Sequence, residues 1–296
     1  MQKENAKVLK TKFTPFTIVL LIVLAVYVLS MFTLIGWALI TSFKSPNDFR
    51  TNAIGMPEKF VWNYTFVYTK FYVSVLTESG MEVVYMETMF VYSILYSLGC
   101  AFFQTLVPCI TAYLCARFNY KFSKIVYTVV IVVMILPIVG SLPAELQMAK
   151  NTGLYDSIWG LWIMKANFLG MYFLVFYDGF KGLSMTYTEA AKIDGASNMH
   201  ILLAIVLPLV KNIFFTVMLV NFIGFWNDYQ VPLLYMPSYP TVAYGMYNMA
   251  NTRENNLSSV PMRMTGAMLM FIPIFTLFLI FQKRLLGNLT VGGIKG

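Results

Sequence analysis

Long apolar stretches separated by short polar segments dominate the pattern along this chain. Six stretches are long enough to cross a bilayer, because a spanning helix needs about 20 mostly apolar residues. They cover residues 16–40, 88–116, 125–144, 157–177, 212–235 and 264–282. The pattern predicts an all-α, polytopic membrane protein whose six transmembrane helices fill residues 16–282. The first stretch is too long, and too poor in a small-residue cleavage site, for a signal peptide, so we expect a retained helix.

The charges between the stretches predict the orientation. When both termini are placed in the cytoplasm, that side receives thirteen of the 21 basic residues and four of the 13 acidic ones. Cytoplasmic loops are enriched in Lys and Arg, so we expect an N-in, C-in topology with cytoplasmic tails at 1–15 and 283–296. The segments 41–87, 145–156 and 236–263 then lie outside, and none is long enough to bury a core of its own.

Composition agrees with a membrane protein and changes how the net charge is interpreted. The chain is 58% apolar and 11% charged, with a mean hydropathy of +0.68, far from the balance of soluble domains. The net charge is +8, but the basic residues neither form a long run nor alternate with aromatics on a soluble face. We therefore expect membrane lipid, in the plasma or inner membrane, and not nucleic acid as the surroundings.

The connection between the fourth and fifth stretches contains an unusual polar segment, "EAAKIDGASNMHILLAIVLP". Thr188 is placed to cap a helix with Glu189 in its first turn, where a negative charge favours the helix dipole. Gly195 is a good helix stop, and Ser197 is placed to cap a second helix that enters the fifth stretch. Pro208 should bend that helix. The pattern predicts a short helix with a shallow face, held at the cytoplasmic surface as a docking element.

This segment resembles the EAA loop of ABC importer permeases. The Glu-Ala-Ala triplet is followed after three residues by Gly195, after nine more by Ile205 and after one more by Leu207-Pro208. The loop, at about residues 181–210, also lies where that family has it, between the fourth and fifth of six spans. The "DGAS" continuation and the tail "FQKRLLGNLTVGGIKG" are similar to the sugar-importer branch, and within it to the maltose-type permease with the short N-terminus.

The resemblance implies a coupling helix that fits a groove of a cytoplasmic ATPase, whose closure on ATP moves the permease between inward-facing and outward-facing shapes. It implies a polar contact at Glu189, a closely fitting face of small residues, and a joint to the fifth span. The residues so assigned are Glu189, Ala190, Ala191, Asp194, Gly195, Ile205, Leu207 and Pro208. The expected partners are a second homologous permease, two ATPase subunits that carry the ATP and Mg, and an extracytoplasmic solute-binding protein.

Two charges lie inside predicted spans, where a charge is costly and is a functional candidate by default. Lys165 and Asp228 either pair with each other or line a watery cavity, and Lys165 is also long enough to reach the headgroups. The residues around Asp228 offer aromatic faces and hydrogen-bonding groups that suit a sugar path. An aromatic belt with interhelical hydrogen bonds would look similar. The candidate path residues are Trp226, Asn227, Asp228, Tyr229, Gln230 and Lys165.

Catalytic, cofactor-binding and metal-binding patterns are absent from the sequence. It has no G-x-x-x-x-G-K-[ST] phosphate loop, and its single histidine, His200, has no partners at metal-ligand spacing. The predicted function is therefore a non-enzymatic permease subunit of a carbohydrate importer. A permease for a non-sugar solute is one alternative. A self-sufficient secondary transporter or a membrane-embedded enzyme would need coupling acids near the midplane or a catalytic cluster, and the sequence offers neither.

Overall fold

The computed structural model describes residues 14–77, 79–118, 120–136, 140–251 and 257–289, and for 283–289 it describes only the backbone. Most of the predicted N-terminal tail and the end of the C-terminal tail lie outside these ranges, as do most of the tail lysines that enter the orientation argument. Within the described residues the chain is mainly helical. Its fourteen α-helices are α1 (Pro15–Ser42), α2 (Pro46–Thr51), α3 (Asn63–Lys70), α4 (Met86–Arg117), α5 (Lys121–Ile135), α6 (Leu142–Asn151), α7 (Ile158–Lys165), α8 (Met171–Lys181), α9 (Thr186–Ile193), α10 (Asn198–His200), α11 (Leu207–Asn227), α12 (Gln230–Tyr235), α13 (Val242–Asn251) and α14 (Val260–Leu289).

Four continuous helical segments are long and apolar enough to cross a membrane: Pro15–Ser42, Met86–Arg117, Asn198–Asn227 and Val260–Gln282. They correspond to the first, second, fifth and sixth predicted stretches. The fifth begins earlier and ends earlier than the apolar pattern suggests. Its helix stops at Asn227, because the chain turns at Asp228 before the short helix α12.

The third predicted span, 125–144, is not one helix. Helix α5 ends at Ile135, Leu136 is extended with ψ 121°, and α6 begins at Leu142. A residue that precedes proline is pushed out of the helical region, and Leu136 precedes Pro137, which itself lies outside the described residues. Hydropathy alone missed this break because the residues around it are apolar.

The fourth predicted span, 157–177, is also interrupted. Helix α7 ends at Lys165 and α8 begins at Met171, with no helix over 166–170. Gly170 has φ 137°, a conformation that L side chains avoid and glycine adopts freely. Within the break Phe168 and Gly170 are half-buried, whereas Asn167 and Leu169 are exposed in this chain.

A β-hairpin corrects the all-α prediction. Strands β1 (Tyr72–Thr77) and β2 (Gly80–Tyr85) pair antiparallel, with Tyr72 opposite Tyr85 and Thr77 opposite Gly80. Val73 and Val75 alternate with exposed neighbours in β1, the period-2 pattern of a half-buried strand.

The hairpin packs with α3, α13 and the adjoining ends of α4 and α14, and we call this assembly the lobe. Its buried side chains include Val67, Val73, Met89, Val242 and Met249. Segments 41–87 and 236–263 thus build one apolar cluster together. Neither segment forms this apolar cluster alone, because both segments and the helix ends contribute side chains to it.

Helix α4 forms the centre of the bundle. It packs against α8 and α11 around a cluster that holds Cys109, Tyr113, Phe176 and Val210 at the end farthest from the lobe. This cluster continues into the connection between α8 and α11, so the predicted docking segment is attached to the best-packed part of the molecule.

Candidate functional site

The docking segment folds as a helix, a turn and a second helix, as its sequence predicts. Helix α9 begins at Thr186, whose backbone N–H donates to Ser184 Oγ at 3.3 Å. Thr188 is therefore not the cap that we expected. It lies inside the helix, is buried, and its hydroxyl donates back to the Met185 carbonyl at 2.7 Å. Glu189 does lie in the first turn, and it is exposed.

Gly195 ends α9 in the way that the sequence predicts. It has φ 82°, and the N–H of Ala196 donates to the Ala191 carbonyl at 2.9 Å, the hydrogen bond of a Schellman stop. Ser197 then caps the next helix, since its Oγ accepts from the His200 N–H at 3.2 Å. Two caps thus fix both sides of an exposed turn.

The face that α9 presents to solvent differs from the expected one. Ala191 is only 8% exposed and packs on Ile201 and Val206 of its own chain. Because the helix ends at Ile193, Gly195 is not on the same helical face as Ala191. Ala190, Asp194 and Gly195 remain exposed, so the small-residue surface lies at the C-terminal end of α9 and not along its length.

Exposed apolar side chains surround this turn, and sequence reasoning missed them. Ile193 is 86% exposed, Met199 64% and Tyr187 55%. Large exposed apolar side chains gathered in one short polar segment are candidates for an interaction site. The available signal was their position inside an otherwise polar, charged segment, where they have no role in a core. We call Tyr187, Glu189, Ile193 and Met199 with the Gly195 turn the docking surface.

Arg117 attaches the docking surface to the central helix. It is the last residue of α4, and its guanidinium donates to the Leu183 carbonyl at 3.1 Å and to the Met185 sulfur. Both acceptors immediately precede α9. Arg117 therefore ties the segment before α9 to α4, which packs against α8 and α11.

A π-helical turn joins the docking surface to the fifth span. It covers Ile201–Val206, and the N–H of Leu207 donates to the Leu202 carbonyl in the five-residue spacing of a π-helix. Pro208 follows and has no N–H to donate. The irregularity expected at Pro208 thus takes the form of a wide turn just before it. Ile205 and Leu207 are half-buried in this turn, and Pro208 is exposed.

Asp228 lies in the polar turn that follows α11, and its carboxylate is hydrogen-bonded within the chain. Its Oδ1 accepts from the backbone N–H groups of Gln230 at 2.9 Å and Val231 at 3.2 Å. Its Oδ2 accepts from the hydroxyl of Tyr96, which is fully buried, at 3.1 Å. The carboxylate therefore caps α12 and joins it to α4.

Lys165 does not pair with Asp228. The two residues form no ion pair in the part of the chain that the structure describes. Lys165 is half-buried at the end of α7, beside the break in the fourth span. Of the two alternatives for these charges, the direct pair is not the observed one.

The remaining candidate path residues separate into a buried and an exposed set. Trp226 is only 3% exposed, packs against α4 and α14, and donates through its indole N–H to the Met270 carbonyl at 3.1 Å. It is a packing residue here. Asn227 and Gln230 are exposed, and Tyr229 stacks on Tyr247 of α13 with ring centroids 4.5 Å apart.

A polar latch braces the lobe end next to this turn. Asp156, with φ 53°, accepts through Oδ1 from the Ser238 N–H at 3.0 Å and through Oδ2 from its hydroxyl at 2.7 Å. Nearby, burial and then the Glu145 carboxylate raise the pKa of Tyr235. Its hydroxyl therefore stays protonated and donates to Glu145 at 3.4 Å. Among the described residues, no group of three or more His, Cys, Asp or Glu side chains is placed to hold a metal ion.

The architecture and the docking segment can be compared with known proteins. The family described as binding-protein-dependent transport system inner membrane component matches residues 104–289. The chain belongs to this family. The match covers the central helix from Gln104 onward, the docking surface, and the fifth and sixth spans, so a member of this family is a membrane transport component.

Characterised relatives in this family are named as sugar permeases. The melibiose/raffinose/stachyose import permease protein MelC of Bacillus subtilis is 29% identical over 192 residues, which cover 63% of this chain and 68% of MelC. The galactooligosaccharides transport system permease protein GanQ of the same organism is 31% identical, over 63% of this chain and 66% of GanQ. AmyC of Thermoanaerobacterium thermosulfurigenes, a probable starch degradation products permease, is 26% identical over 93% of this chain and 94% of AmyC.

A solved structure shares the fold. It is a bacterial ABC transporter involved in the import of the acidic polysaccharide alginate, and one of its chains matches with a TM-score of 0.73. The match covers 92% of this chain and 98% of the other, at 20% identity. The chain therefore has the ABC importer permease fold.

Proposed function

We propose that this chain is a permease subunit of an ATP-driven, binding-protein-dependent importer of sugars or oligosaccharides. The observation that carries the proposal is the docking surface, because an exposed apolar and small-residue turn on a membrane permease requires a partner outside the membrane. The family match and the sugar substrates in the relatives' names support the substrate class. A self-sufficient secondary transporter would have no use for such a surface.

The docking surface would meet a cytoplasmic ATPase that carries the ATP and Mg. Ile193 is the most exposed apolar side chain next to the Gly195 turn, and it would enter the ATPase groove together with Ala190, while Glu189 would meet a polar or basic group at its edge. Closure of two ATPase subunits would then move α9. The Arg117 contacts and the π-helical turn would carry this movement into α4 and α11.

Six crossings with both termini in the cytoplasm are the topology that we propose. Helix α5 has 15 residues and so is about 22 Å long, shorter than the ~30 Å apolar layer, and the extended residues after it would complete the third crossing. Helices α7 and α8 would form the fourth crossing on either side of the break. The lobe would then lie outside, where a solute-binding protein delivers substrate, and a second homologous permease would complete the pathway.

The sugar path would pass the lobe-side turn of the fifth span. Asn227, Gln230 and the stacked Tyr229–Tyr247 pair are the residues there that combine exposed amides with an aromatic face. Sugars offer hydroxyls to amides and CH faces to aromatic rings. Lys165, near the break in the fourth span, would lie beside the same path. Asp228 would contribute by holding the turn, and Trp226 by packing.

Removing the apolar side chain of Ile193 tests the proposal. Ile193→Gln in the assembled complex should reduce the amount of ATPase that copurifies with the chain, and with it the ATP hydrolysis stimulated by the loaded binding protein. The reason is that a polar amide replaces an apolar side chain that would be buried in the ATPase groove. Tyr120→Gln is the matched control, because Tyr120 is a 60% exposed apolar side chain at the same end of the bundle and outside the docking surface. Normal association and normal stimulated hydrolysis in Ile193→Gln and in Glu189→Arg would exclude docking through this surface.

A further inference from the structure

A basic cavity opens beside the docking surface and has no role in the proposed transport cycle. It lies between the ends of α4, α5 and α8 that are farthest from the lobe, and Met185, just before α9, forms part of its wall. Its volume is about 590 Å³. A cavity of this size holds a small charged headgroup with its first waters, so its lining chemistry identifies what it can bind.

Three cations and no carboxylate line the cavity. The cations are Arg117, Lys124 and Lys181, one from each of the three helices. Like charges gathered around one cavity repel each other unless an anion neutralises them. The charge of the lining therefore favours a bound anion.

The side chains around the cations favour phosphate with an apolar attachment. The rings of Tyr127 and Tyr177 lie 4.9 Å apart in the wall, and Lys181 Nζ lies 5.3 Å from the centroid of the Tyr177 ring. Guanidinium and ammonium groups bind phosphate oxygens through charge-assisted hydrogen bonds. The cavity therefore combines cationic donors with an aromatic wall.

The same face of α5 continues from the cavity as an apolar stripe. Lys124 and Thr128 line the cavity, and Val132 and Ile135 follow at helical spacing on that face. Both are exposed, Ile135 to 74%. Thr128 and Ile135 are about 10 Å apart along the helix, so this stripe runs from the cavity toward the middle of the bilayer. An acyl chain attached to a bound phosphate would lie along it.

We propose that this cavity binds the phosphate headgroup of an anionic phospholipid, with one acyl chain along Val132 and Ile135. Basic pockets between transmembrane helices at a membrane surface are suited to such headgroups. Because Arg117 and Met185 belong both to the cavity and to the support of α9, the bound lipid stabilises the loop that carries the docking surface. This last consequence rests on the proposed function, whereas the lipid site itself rests only on the proposed membrane crossing of α5.

The test removes the two lysines and leaves Arg117, which also holds the loop. The assembled complex is extracted from membranes that contain phosphatidylcholine and phosphatidylglycerol, and the retained lipids are measured by mass spectrometry. We expect Lys124→Gln with Lys181→Gln to retain roughly tenfold less phosphatidylglycerol than the unmodified complex, with phosphatidylcholine unchanged. Lys121→Gln with Lys211→Gln is the matched control, because these exposed lysines lie outside the cavity lining.

Each other outcome overturns the lipid assignment. Equal phosphatidylglycerol retention in the two double variants would mean that the cavity binds no headgroup. Displacement of the lipid from the unmodified complex by millimolar inorganic phosphate would mean that the cavity is a site for free phosphate. If the double variant Lys124→Gln with Lys181→Gln loses the ATPase subunits but retains the lipid, the two lysines bind the ATPase and not a lipid headgroup. Ile193→Gln separates this proposal from the docking proposal, since it should lose ATPase and keep the lipid.

Discussion

Removing the Asp228 side chain should destabilise the molecule through two separate losses. In Asp228→Ala the N–H groups of Gln230 and Val231 lose their acceptor, and the loss of a helix cap typically costs about 1 kcal/mol. The hydroxyl of Tyr96 loses its acceptor as well. Tyr96 is fully buried, and an unpaired buried hydroxyl costs about 1–3 kcal/mol. The expected total loss is therefore roughly 2–4 kcal/mol.

Two further variants separate these losses. Asp228→Asn keeps an oxygen that caps α12 as well as aspartate does, and its amide donates to the Tyr96 hydroxyl, so we expect a loss below about 1 kcal/mol. Tyr96→Phe combined with Asp228→Ala removes the stranded hydroxyl. This double variant should be more stable than Asp228→Ala alone, since only the lost cap of about 1 kcal/mol remains.

Thermal unfolding of the detergent-solubilised complex, followed by tryptophan fluorescence, measures these differences. For chains of 150–250 residues, 1 kcal/mol shifts the midpoint by about 2–4 °C, so Asp228→Ala should unfold well below Asp228→Asn. If Asp228→Asn is as unstable as Asp228→Ala, the charge itself is required, and our structural explanation is wrong. If Tyr96→Phe adds its own loss to Asp228→Ala instead of rescuing it, the two residues do not share the bond.

Three more predictions concern other hydrogen-bonded positions. Asn63→Ala should cost about 2–3 kcal/mol in the same unfolding assay, because the buried amide donates at 2.8 Å to both the Ser42 and Lys44 carbonyls; an unchanged midpoint would contradict this. Asp156→Ala should cost about 2–3 kcal/mol, while Asp156→Asn, which tolerates the positive φ, should cost less than half as much; equal losses would refute the latch. Gly195→Asn should keep the left-handed turn at a small cost in stability, because Asn adopts positive φ more readily than other side chains and nothing lies within 4 Å of the added Cβ. It should nevertheless reduce stimulated ATP hydrolysis; full hydrolysis would mean that no partner approaches this turn.

The docking segment could be predicted from sequence because its structure is local. Gly195 and Ser197 act on backbone groups within five residues of themselves, so their chemistry can be recognised without knowing the fold. The solvent-facing side of α9 could not be predicted in this way. Ala191 is buried because Ile201 and Val206 of the next helix fold back onto it, and that contact depends on the tertiary arrangement.

The breaks in the third and fourth spans show the limit of hydropathy. Residues 166–170 include Phe168 and Leu169 and are apolar enough to continue a helix by composition. Gly170, at φ 137°, is the signal that the sequence did contain. The glycine alone could not predict a break, because glycine in a membrane helix also serves close packing. Only the backbone conformation shows which of the two roles applies.

The role of Asp228, a charged residue in an apolar stretch, could not be predicted from the sequence. Its acceptors serve two backbone N–H groups nearby in sequence and a tyrosine hydroxyl 132 residues away. The local half of this arrangement is an Asx turn, which the sequence Asp-Tyr-Gln permits. The distant half depends on how α4 packs against α11, so a sugar path and a structural cap could not be distinguished beforehand.

Helix α1 poses a different problem of placement, because its apolar surface extends all round and none of its most apolar window is buried by the rest of this chain. A helix of this kind needs apolar surroundings on every side, which a bilayer or a second permease supplies. Lipid tails give no hydrophobic drive toward the neighbouring helices. Its position in the subunit is therefore set by its last two turns, where the Trp37 indole N–H donates to the Ala53 carbonyl at 2.9 Å and the Ser42 carbonyl accepts from Asn63 and from the Thr265 hydroxyl at 3.1 Å. The rest of α1 stays free to pack against whatever chain or lipid adjoins it.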